Sequence, residues 1–111
     1  MKLNELLPKI LRATSEGKLR WFPGTMKNSF QADLAGIRLL SNYWMDEDTG
    51  EPGYTLASYR GETFLESVYG DKFSTHYSAL ESVYDAARHD ALNLGQVVEE
   101  LSEELDRIMK M

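Results

Sequence analysis

Asp85 and His89 stand four residues apart in SVYDAARHDALNLG (82–95), the spacing of one helical turn. A carboxylate so placed could orient an imidazole for general-base work, or the two could begin a metal site. The same spacing also describes an ordinary surface pair that steadies a helix by about 0.2–0.5 kcal/mol. The neighbouring apolar residues decide between them. Tyr84, Ala87 and Ala91 define the stripe such a helix would bury, which leaves Asp85 and His89 on its flank, toward water. A metal would need further ligands, and His76 is the only other histidine, 13 positions earlier. That is about 20 Å along a continuous helix. No catalytic residue, metal ligand or cofactor site is assigned, and a small enzyme using Asp85 and His89 is kept as the third reading.

A second chemistry is suggested by KLRWFPGTMK (18–27), where Lys18, Arg20 and Lys27 alternate with Trp21 and Phe22. Charge and stacking surface together are what a single-stranded nucleic-acid platform supplies. The competing reading is an edge strand with one aromatic in the core and lysines that discourage edge pairing. Strand alternation lets only one of the two rings face inward. The loop DEDTGEPG (46–53) has the acids of a calcium loop, Asp46, Asp48 and Glu51, without its twelve-residue ligand spacing or flanking helices. It reads as a hairpin tip.

Amphipathic aromatics are numerous, and this residue type favours interfaces because it is apolar at one end and polar at the other. Tyr43 and Trp44 are neighbours in a strand and must point to opposite faces, so one of them leaves the core. With Trp21 they form the aromatic part of a candidate partner-binding surface. Its second part is the acidic terminal helix, GQVVEELSEELDRIMKM, with Glu100, Glu103 and Glu104 opposite Val98, Leu101, Leu105 and Ile108. The plain expectation is a core-packing helix with a solvated outer face. The sharper one is a dimer seam, or a face that docks into a partner's basic groove.

These residues must be positioned by a chain of 111 residues, the usual size for one domain, and a single domain over 1–111 is expected. Hydrophobic residues make up 42% and charged residues 27%, globular rather than disordered proportions. Residues 1–38 carry net charge +4, residues 39–73 net −5 and residues 74–111 net −5, for an overall −6. The overall acidity disfavours nucleic acid. Cysteine is absent, which excludes disulfides, thiolate nucleophiles and cysteine-ligated metals. No segment has the length of a membrane span or the form of a secretory leader, so a cytoplasmic protein without membrane contact is expected.

Leu3, Leu6, Leu7, Ile10 and Leu11 form the stripe of an N-terminal amphipathic helix, begun or kinked near Pro8 and closed by Gly17. Five short strands follow: LRWF (19–22), SFQADL (29–34), IRLLSNYWM (37–45), YTLASY (54–59) and TFLESVY (63–69), separated by turn residues. From Phe73 to Ile108 apolar residues recur in alternating steps of four and three, a heptad seam. Ser74 or Thr75 can cap its start. Asn93 and Gln96, in capping-box spacing around Gly95, divide it into helices of about 75–92 and 94–109. The fold expected is α+β: an N-terminal helix, a five-stranded antiparallel meander and two C-terminal helices packed on the sheet.

LLPKILRATSEGKLRW (6–21) and LESVYDAARHDAL (80–92) resemble small uncharacterised bacterial and phage proteins. In these an LL-x3-L-x-AT-x2-GKL-x-W start precedes a meander and an L-x3-Y-x2-AR helix. The resemblance implies bacterial or phage origin, cytoplasmic location and an α+β fold, and carries no activity or site residue with it. The function expected is a non-enzymatic interaction or regulatory module that binds a protein partner, or itself as a homodimer. A nucleic-acid-binding module using the basic aromatic N-terminal third is the alternative.

Overall fold

A computed structural model describes residues 1–110. A 3-10 turn, Leu3–Leu6, leads into helix α1, Leu7–Ser15. Pro8 falls in the first turn of α1, where the N–H it lacks has no partner to lose, so the helix starts cleanly instead of kinking. Gly17, with φ +73°, turns the chain away from its end.

The sheet is antiparallel in the order β1-β2-β3-β4-β5, with strands Phe22–Pro23, Ser29–Leu34, Ile37–Met45, Pro52–Arg60 and Thr63–Asp71. The first strand is shorter than LRWF promised. Leu19–Trp21 stay outside the ladder, the Trp21 N–H donating to Asp90 Oδ2 at 2.7 Å instead of to a strand, and Pro23 is tolerated because β1 is an edge strand. Ala35 and Gly36 both adopt positive φ, +54° and +76°, matching the twist needed by the tight β2–β3 turn. Helix α2, Tyr77–Ala91, lies across one face of the sheet and touches all five strands and α1. Its cap position is His76, not Ser74 or Thr75. Ser74 Oγ instead accepts the His76 N–H at 3.1 Å in the turn before the helix.

Alternation sorts the strands cleanly. Phe30, Ala32, Leu39, Leu56 and Val68 point to the helices and are buried with Leu7, Ile10, Leu80, Val83 and Ala87. Ala87, fully buried, lets α2 come close to the sheet. Trp21 is 2% exposed, its Nε1 donating to Thr14 Oγ1 at 2.9 Å. It is therefore a core residue, a correction to its expected place on a binding surface; the strand's other aromatic, Phe22, is the exposed one.

The expected α+β architecture is present with all its elements. Helix α3, Leu94–Met109, departs from the expected packing: among the described residues it contacts α2 alone and buries no side chain. Phe73, at the other end of the heptad seam, is also exposed. The break at 93 arises differently from a capping box. Asn93 takes the left-handed conformation (φ 52°, ψ 47°), and its side chain bonds the Gln96 side chain instead of capping the backbone. Asparagine tolerates that conformation, and it swings α3 off the body. The radius of gyration is 16.3 Å, against about 13 Å for a compact chain of this length.

Candidate interaction surfaces

The sheet has one face covered by helices and one that no element covers among the described residues. Tyr43 faces α2, its ring 5.5 Å from Tyr54 and 6.2 Å from Tyr84. Tyr54 also meets Tyr77 and Tyr84, so four tyrosines form the wedge between α2 and the sheet. Burial, reinforced by the carboxylates of Glu81 and Asp85, pushes the Tyr54 hydroxyl up to about 12. Burial raises Tyr77 and Tyr84 as well.

Trp44 goes the other way, as strand alternation requires. Its indole lies flat across Gly53 on the neighbouring strand, where an added Cβ would come within 2.2 Å of the ring. Nε1 donates to Thr55 Oγ1 at 2.8 Å, which fixes the ring to the outer sheet face. Six residues further along the strands, about 20 Å away, Tyr59 and Phe64 pack edge to face at 5.7 Å, and Arg38 lies over the Tyr59 ring at 4.9 Å. Phe64 is 55% and Tyr69 70% exposed. Trp44 and Tyr69 at one end and Tyr59 and Phe64 at the other thus make an aromatic platform along a sheet face that no other element covers among the described residues. The sequence singles out Trp44 there; Phe64 was missed because the β4–β5 register, with its bulge between Ser58 and Tyr59, decides which face it joins.

Asp85 and His89 are both exposed, with no hydrogen bond between them. His89 lines a shallow hollow of about 380 Å³ between the ends of α1 and α2, beside Asp90. Asp90 is already committed: it accepts the Trp21 backbone N–H at 2.7 Å and Arg20 Nε at 3.0 Å, clamping the segment after α1 onto α2. Sequence reasoning passed over Asp90, whose partners are about seventy positions away. No group of three or more His, Asp or Glu able to hold a metal occurs among the described residues. In the loop 46–53 Asp46 Oδ1 accepts the backbone N–H groups of Asp48 and Thr49, a self-bonded hairpin tip.

The basic N-terminal third is partly neutralised. Arg12 and Lys18 both bridge Glu16, and Arg20 bridges Asp90. Glu100, Glu103 and Glu104 lie on α3 and are exposed, Glu104 paired with Arg107. On the same helix Val98, Leu101, Leu105 and Ile108 are 52–64% exposed. No helix among the described residues is long and apolar enough to cross a membrane. Comparison with protein-family models, curated proteins and solved structures gave no match.

Proposed function

We propose that this protein is a non-enzymatic interaction module that engages a protein partner through the outer sheet face. This would operate in the bacterial or phage cytoplasmic setting implied by the sequence resemblance. The carrying observation is the aromatic platform of Trp44, Tyr59, Phe64 and Tyr69, held in place yet uncovered. Rigid aromatics bring large contact area at small entropic cost, which is why they dominate binding hot spots. Arg38 adds a cation within the platform. The nucleic-acid reading loses support by comparison, since Trp21 is buried and Arg12, Lys18 and Arg20 are ion-paired.

The test is affinity capture from the native cell with wild-type protein and a Phe64→Ser, Tyr69→Ser double variant. Both side chains are exposed, so circular dichroism should be unchanged. A protein retained by the wild type and lost by the variant is expected. Equal capture by both would remove the platform from the reading. A mobility shift of labelled single-stranded oligonucleotides at low salt would favour nucleic acid instead.

A further inference from the structure

We propose that α3 is a self-association helix, and that two copies of the chain pair antiparallel through Leu94, Val98, Leu101, Leu105 and Ile108. A helix of 16 residues that touches only α2 and buries no side chain is marginal in water, and most helical stability in proteins comes from burying an apolar face. On α3 that face is complete, with Leu94 half-buried and Val98, Leu101, Leu105 and Ile108 exposed. Its residues recur in steps of four and three, which makes Val98 and Leu105 the a positions and Leu94, Leu101 and Ile108 the d positions of a coiled coil.

The distribution of charge identifies the occupant. Glu99, Glu100, Glu103 and Asp106 all fall at b, c and f, away from the seam. The flanking e and g positions hold Gly95, Val97, Ser102, Glu104 and Met109, so one charge borders the seam, and Arg107 of the same helix neutralises it. An acidic helix shaped to dock into a basic groove would carry acids along its flanks. This one has cleared them, as pairing with an identical acidic helix demands. A lipid surface is disfavoured for the opposite reason, because interfacial helices carry Lys and Arg on the polar face.

Antiparallel pairing follows from two considerations. It opposes the helix dipoles and sets the two bodies, each joined at the N-terminal end of α3, at opposite ends of the pair. In the register that places Leu94 opposite Leu105 of the other copy, and Val98 opposite Leu101, Glu104 faces Val97 and Ser102 faces Gly95. No two acids then meet across the seam. Ile108 and Met109 extend past Leu94 of the other copy toward its exposed Leu92. About two heptads of seam give a reversible dimer in exchange with monomer.

Sedimentation or light scattering on the full chain reads the mass directly. The expected value rises with concentration toward twice 12.7 kDa. A Leu101→Glu, Leu105→Glu double variant should stay monomeric, with the fluorescence of buried Trp21 unchanged because α3 makes no core contact. The chain has no cysteine to interfere with cross-linking. A mixture of Leu94→Cys and Leu105→Cys proteins should cross-link, whereas Leu94→Cys alone should not. A wild-type monomer throughout, or a dimer that survives the double variant, would overturn the proposal. Self-linking of Leu94→Cys would show parallel pairing and overturn the orientation. The Phe64→Ser, Tyr69→Ser variant should remain dimeric, which separates this seam from the sheet platform.

Discussion

Helices α2 and α3 are nearly equal in length, 15 and 16 residues, and continue one apolar seam in the sequence. Their surroundings differ completely. α2 buries Leu80, Val83, Tyr84 and Ala87 against sheet and α1, while α3 buries none of its residues. Both helices satisfy the period equally, so periodicity marks a face that needs burial without saying what will bury it. The seam residues themselves differ. α2 mixes Leu80 and Val83 with tyrosines and the small Ala87 that lets it approach the sheet, whereas α3 presents Val, Leu and Ile alone at coiled-coil spacing.

The largest effect should come from truncating the same residue type on each helix. Leu80→Ala, at 2% exposure, is expected to cost about 2–5 kcal/mol. Leu105→Ala should change the stability of the body by under about 0.5 kcal/mol when measured at concentrations that keep the chain monomeric. Urea unfolding followed by Trp fluorescence compares the two. Equal costs would mean that α3 packs on the body after all, and the contrast would collapse.

Asp90 sharpens the contrast from the α2 side, because it joins α2 to the segment after α1 through a charged hydrogen bond to Trp21 N–H. Asp90→Ala should cost about 1.5–3 kcal/mol and expose Trp21, seen as a red shift in its emission. A silent substitution would show that packing alone holds that segment.

The smallest effect concerns pH. The folded chain holds the Tyr54 proton more tightly than the unfolded chain, with a pKa of about 12 against the ordinary 10.0, and Tyr77 and Tyr84 shift the same way. The stability this linkage contributes is therefore full below pH 10 and is lost as pH rises from 10 toward 12. Urea midpoints should fall over that interval together with the tyrosinate absorbance, and a Tyr54→Phe variant should flatten the decline. All three tyrosines sit in the wedge beneath α2 and none on α3, so a dimer carried by α3 should not share their alkaline transition.

Much of the fold was legible before any coordinates. Strands 29–34 and 37–45 and the helix 94–109 agree residue for residue, because alternation, turn glycines and helical period are local properties. The first strand and the start of α2 were misjudged by a few residues where the local signals compete. Of the candidate surface, Trp44 was readable from its adjacency to Tyr43, since two neighbours in a strand cannot share a face. Trp21 was not, because alternation requires one of Trp21 and Phe22 to turn inward without saying which.

The sequence by itself determined the elements, their order, the charge gradient and the presence of an apolar stripe on each helix, all of which depend on residues near one another in the chain. Tertiary structure alone decided that Trp21 lies under α1, that Asp90 clamps the segment beside it, that Phe64 joins Trp44 on the open face, and that the stripe of α3 stays uncovered. These depend on contacts between distant segments, on strand register, or on the direction in which one left-handed residue, Asn93, sends the chain. Such choices are settled by shape complementarity between distant segments, and a local pattern has no means of encoding which of two equally apolar faces finds a partner.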